Sequence, residues 1–209
     1  MKNFTQMFIY LSANNVDDYS KPNRKLDSSE NEIYKETDPL IKSYLSSSHS
    51  IKMKKDKMSL KIDVLELYVQ ENDPVTEVGA KLAEMAYDFE INFQPMVINL
   101  VDKFFDETRK MEGGVVQPSL KLLLKNYKTI AEEIFRNGYN WSRLLVILMF
   151  TFEIFQRLYV AYTPDVAKNL ISHIGAVFVN IGLTAWVLVH GGWSSTKKSS
   201  KMHLVLTNS

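Results

Sequence analysis

Cysteine is missing altogether from the 209 residues. Disulfides, thiolate metal sites and cysteine nucleophiles are therefore excluded, and a reducing compartment suits the chain. An excess of charge of one sign is lacking too. Twenty-five basic residues meet 24 acidic ones for a net charge of +1, which leaves no electrostatic basis for binding nucleic acid. Catalytic signatures are also absent: the chain has no Gly-rich phosphate loop, no HExxH and no GxSxG. His49, His173, His190 and His203 are scattered, none at metal-ligand spacing from another. Neither an enzyme nor a cofactor is expected. The apolar stretch from Met7 to Leu11 is too short for a secretory signal. No strand-and-turn rhythm and no internal repeat occur, so the fold class is all-α.

Hydrophobic residues make up 45% of the chain, enough for one domain with a real core. Residues 1–57 are polar and uneven. Asn14 to Asp38 reads as disordered, and Lys52 to Lys57 as a solvated basic linker. Two segments compete for a first helix. Asp38 to Leu45 places Pro39 at a first-turn position. Met58 to Gln70 puts Leu60, Val64, Leu67 and Tyr68 on one helical face, though Leu60, Ile62 and Val64 also alternate as in a strand.

From Asp73 the pattern is helical. Asp73-Pro74 is a start signal, and Val78, Leu82, Met85, Phe89, Phe93, Met96 and Leu100 recur at steps of three and four. Pro95 is expected to kink this helix near its end. Thr108 to Pro118 reads as a loop. A second amphipathic helix carries Leu120, Leu123, Leu124, Tyr127, Ile130 and Ile134, with Gly138 placed to terminate it. Asn140 can cap the next helix, whose Leu144 to Phe152 is apolar on every side and so needs neighbours all round. Glu153 and Arg157 stand at pairing distance on it. Thr163-Pro164-Asp165 starts another helix bearing Val166, Leu170, Ile174, Val177, Phe178 and Ile181, and Thr184 to His190 forms a short last one. Asn169 to Trp193 has no charged residue. Its best apolar stretch, Ile174 to Val189, falls short of the about 20 residues a bilayer span needs and is interrupted by Asn180 and Gly182. A buried helix is expected there. The tail 194–209 is polar and basic.

Arg143 is the most informative single residue. It sits in the first turn of an apolar helix, at the positive pole, where a cation costs roughly 0.3–1 kcal/mol. Two readings are open: an anionic partner, or a side chain whose stem covers Trp141.

The stretch Glu133 to Arg143 (E-I-F-R-N-G-Y-N-W-S-R) resembles the first homology region of the B-cell lymphoma 2 (Bcl-2) family of apoptosis regulators. Trp186 to Trp193 (W-V-L-V-H-G-G-W) resembles the second. Val78-Gly79-x-x-Leu82-Ala83-x-x-x-x-Asp88 resembles the third in its Bak-like form. The markers are Leu82, Asp88, Gly138, Trp141, Trp186, Gly191, Gly192 and Trp193, and the resemblance covers about 73–193. It implies a bundle of about eight helices around a hydrophobic central hairpin, in a domain spanning 58–193. It further implies a groove for the amphipathic third-region helices of pro-apoptotic members, with homo- or heterodimers and peripheral membrane contact. Carried over by position, the groove comprises Phe89, Phe93, Val97, Leu100, Ile130, Glu133, Ile134, Asn140, Ser142, Arg143, Leu145 and Val146, and Arg143 pairs with the ligand's aspartate.

Three departures stand out. Ser142 replaces the family's glycine before the arginine. Ala86-Tyr87 replaces its Gly-Asp. The sequence after Trp193 turns polar where the family usually has a further apolar helix and an anchor. A survival-type member follows from this reading, cytoplasmic or at the mitochondrial outer membrane, with a Bak-like pore-forming effector as the alternative.

Overall fold

The computed structural model describes residues 18–55, 73–112 and 118–198, and every regular element among them is helical. Six α-helices follow one another: α1 (Ser28–Lys55), α2 (Pro74–Glu112), α3 (Leu120–Ile134), α4 (Trp141–Ala161), α5 (Pro164–Asn180) and α6 (Leu183–Val189). A 3-10 turn, Trp193–Lys198, closes the series. Met58 to Gln70, the second candidate first helix, lies outside the described residues.

Helix α1 corrects the reading of the N-terminal region. Disorder to Asp38 and a short helix over 38–45 are expected; the helix instead starts at Ser28 and keeps Pro39 in its interior. Asp27 opens it, its Oδ1 accepting from the Glu30 amide at 2.8 Å. The buried stripe of α1 mixes Ile33, Leu40, Ile41, Tyr44 and Leu45 with Glu30, Thr37, Ser43, Ser48 and His49. Those polar members dilute the apolar period that signals a helix. Lys52, read as part of a solvated linker, is largely buried within it.

Helix α2 begins where Asp73 Oδ1 accepts from the Val75 amide at 2.9 Å. It then runs unbroken for 39 residues, through Pro95 and past Thr108, where a loop is expected. Thr108 is satisfied inside the helix: its hydroxyl donates to Phe104 O at 2.7 Å and accepts from Asn126 of α3 at 3.0 Å. The contact between α1 and α2 is the most extensive in the bundle. Gly79 makes it close, because a Cβ there would lie 2.5 Å from Leu40 O and 2.9 Å from Ser43 Cβ.

Helix α4 is the centre. Leu144, Leu145, Ile147, Leu148 and Phe150 are fully buried, and α1, α2, α3 and α5 all pack on it. The expectation of neighbours on all sides holds, and α4 with α5 forms the central apolar pair. Trp141–Ala161 is also the one described helix long and apolar enough to cross a membrane, although 67% of its apolar window is buried. The α5–α6 pair passes that test only jointly and is bent by 69°. Thr163 caps α5, with Pro164 in its first turn. Beyond α6 the chain turns at Gly191-Gly192 and sends Trp193 into the core, where its indole N–H donates to Ile33 O at 3.3 Å.

Candidate functional site

Glu133 to Arg143 joins α3 to α4. Gly138 terminates the α3 side with φ +97°, a backbone conformation that glycine adopts freely. Asn140 caps α4, its Oδ1 accepting from the Arg143 amide at 2.8 Å. The guanidinium of Arg143 folds back and donates to Gly138 O at 2.6 Å. A backbone carbonyl of the connecting turn thus takes up the charge of this first-turn arginine in the free protein. The acceptor is neutral. No carboxylate pairs with Arg143 among the described residues.

Aromatic contacts bind this turn to the stretch Trp186 to Trp193. Phe135 and Tyr139 lie 5.2 Å apart, Tyr139 and Trp186 6.2 Å, and Trp141 meets Trp186 edge-on at 5.0 Å. The Tyr139 hydroxyl donates to Ile181 O at the end of α5, and His190 stacks on Trp186 at 4.4 Å. Residues some forty to fifty positions apart thus form one ladder. Such contacts contribute about 0.5–1.5 kcal/mol each beyond their buried area.

The groove positions fall into three groups. Val97, Ile130, Leu145 and Val146 are buried, at 2, 2, 0 and 2% exposure. Phe89, Phe93, Leu100 and Ile134 are half-buried against the same core, with the Phe89 and Phe93 rings 6.3 Å apart. Glu133, Asn140, Ser142 and Arg143 supply the polar members. Glu133 is ion-paired with Lys103 of α2. The Lys103 hydrogen bond pulls the Glu133 pKa below the ordinary glutamate value, against a smaller opposing effect of burial. That pair ties α2 to α3 across the positions assigned to the groove. Among the homology-region markers, Leu82 and Trp193 are buried, Trp186 and Gly192 are half-buried, and Asp88 is exposed.

Sequence reasoning missed a second polar constellation. Glu153 and Arg157, expected to pair along α4, each reach another helix. Arg157 donates to Asp102 of α2 at 2.6 Å. Glu153 accepts from Lys52 of α1 at 2.9 Å, and the same ammonium donates to Glu90 of α2 at 2.6 Å. Burial opposes the Lys52 charge, but Glu153 and Glu90 outweigh it and hold the pKa above the ordinary lysine value. The partners are 38 and 101 positions away, so no local spacing announces them. Among the described residues no group of His, Asp and Glu converges as a metal site.

A helical bundle wrapped round one buried helix, with an arginine-marked turn beside the core, defines a class of helix-bundle proteins. The sequence model for apoptosis regulator proteins of the Bcl-2 family matches residues 82–193. The human protein Bcl-2 homologous antagonist/killer is 20% identical over 171 residues, covering 79% of this chain and 74% of that relative. The crystal structure of chicken BOK aligns with a TM-score of 0.59 at 16% identity, covering 81% of this chain and 97% of that one. The chain belongs to the Bcl-2 family. It is a regulator of apoptosis, and the family's members act without enzymatic chemistry.

Proposed function

We propose that the protein is a survival-type member, which captures the amphipathic third-region helix of a pro-apoptotic relative and restrains permeabilisation of the mitochondrial outer membrane. Arg143 carries this reading. It is a half-buried guanidinium in the first turn of α4, bonded to a neutral carbonyl. A ligand carboxylate would replace that acceptor with a charged one and gain a bond roughly twice as strong. The apolar face of the incoming helix would lie over Phe89, Phe93, Leu100 and Ile134, in the helix-in-groove mode for which this family is a standard example. Capture requires the Lys103–Glu133 pair to yield, and an exposed pair of that kind contributes only about 0–1 kcal/mol.

Tyr87 supports the survival direction. By resemblance it stands where a pro-death helix carries aspartate, so this chain's own third region is a poor ligand for another member's groove. An effector that permeabilises the membrane is the second reading. It is favoured by α4, which is long and apolar enough to span a bilayer, and by a relative whose name is antagonist/killer. The site of action in either reading is the cytosol or the surface of the mitochondrial outer membrane.

Two measurements test the proposal. An amphipathic helix bearing the aspartate should bind wild type at least about tenfold more tightly than Arg143→Glu, the loss of one charge-assisted bond; equal affinities would remove the arginine from the mechanism. In vesicle release, the protein should block an effector and release nothing by itself. Release by the purified chain alone would establish the effector reading instead.

A further inference from the structure

A cavity of about 120 Å³ lies between α1, α2 and α4, walled by residues from all three helices. It is separate from the turn at Arg143. Its apolar wall includes Ala83, Ala86, Val97, Met149 and Phe152, all buried. Lys52, Glu90 and Glu153 stand in its polar wall, with 15, 16 and 24% of their side chains exposed. Ser48 also lines it. The Ser48 hydroxyl is buried beside the Tyr44 phenol.

Three features define what would fit. The size is that of one six-membered ring, since a dry cavity of roughly 150 Å³ accommodates benzene. The charge within the triad is unbalanced: a single ammonium serves two largely buried carboxylates. Among the described residues, neighbouring cations do not correct this, because Arg157 is matched by Asp102 and the exposed Lys55 lies over the Tyr87 ring at 4.2 Å. The aromatic wall already attracts a cation, since the Lys52 ammonium sits 5.1 Å from the centre of the Phe152 ring.

We infer that this cavity is a binding site for a compact apolar cation, an aryl- or alkyl-ammonium. Its ring fills the space against Ala86 and Met149, and its ammonium supplies the second positive charge to Glu90 and Glu153. A ligand there touches three helices at once. It would therefore fasten α2, the helix that bears Val78 to Asp88, to α1 and α4.

Benzylamine is a suitable probe, with benzyl alcohol and benzoate as controls of similar size. With methionine methyl groups labelled with ¹³C, benzylamine should shift the Met149 resonance, which is assigned by its loss in Met149→Leu. Benzyl alcohol should bind at least about tenfold more weakly, and benzoate should leave the resonance unmoved. Ala86→Leu should abolish the shift by filling the cavity. Glu153→Gln should weaken benzylamine by about tenfold while leaving benzyl alcohol unchanged. The inference is overturned if Met149 does not respond to benzylamine, if benzoate binds equally well, or if Glu153→Gln leaves the preference for the amine intact. The Glu153→Gln arm decides the matter even if Ala86→Leu does not fold.

Discussion

At the scale of the residue, function and packing meet on α2. Gly79 follows Val78 in the stretch that resembles the third homology region, and its missing side chain lets α1 lie against α2. An alanine inside a helix normally gains about 1 kcal/mol over glycine. Here the added carbon would run into Leu40 O and Ser43 Cβ, backbone and near-backbone atoms that have little room to retreat. Gly79→Ala should therefore lower stability by about 1–3 kcal/mol, read as a smaller urea midpoint. A higher midpoint would show that the two helices separate easily at this crossing. Arg143 illustrates the complementary lesson. Its position in the first turn signals something unusual, but only its contact with Gly138 O shows how the free protein accommodates the charge.

At the scale of the element, the long helix α2 contains its own weak point. Pro95 is exposed and internal; it lacks an amide proton and crowds the carbonyl four residues earlier. The helix continues because Val97, Val101 and Phe104 beyond the proline are buried in the same core as Val78 and Leu82 before it. Packing overrides the local penalty. Pro95→Ala should raise stability by up to about 3 kcal/mol and slow amide exchange over residues 91–94. Unchanged exchange would mean that the proline already sits in a strain-free bend. The same competition explains α1. Its polar members are buried by tertiary neighbours, so it is helical over a stretch whose local composition suggests disorder.

At the scale of the whole molecule, polar contacts join distant parts of the chain. Arg24 grips the buried Glu30 carboxylate with two bonds, one at 2.7 Å, and Thr184 at the start of α6 donates to it at 2.8 Å. The Arg24 hydrogen bonds, with help from Thr184, hold the Glu30 pKa below the ordinary glutamate value despite burial. A lowered folded-state pKa sets the sign. The contribution to stability is complete above the unfolded glutamate pKa and fades as the pH falls through the folded value. Thermal midpoints of Glu30→Gln and wild type should therefore converge on acidification from about pH 7 to about pH 3. A gap that stays constant over that range would show that Glu30 titrates alike in both states.

The sequence by itself determined the helical class, most helix starts and the two tryptophan-bearing homology stretches. Those signals are local: a cap such as Asp73 or Asn140 acts within one turn, and an apolar stripe is written at steps of three and four. Tertiary structure alone decided that α1 begins at Ser28, that Glu153 turns to Lys52 and Arg157 to Asp102, and that a cavity remains beneath the Lys52 triad. Each of these depends on partners brought close by the packing of separate helices, and a charged side chain chooses among such partners by distance and burial in the folded bundle, which spacing along the chain does not encode.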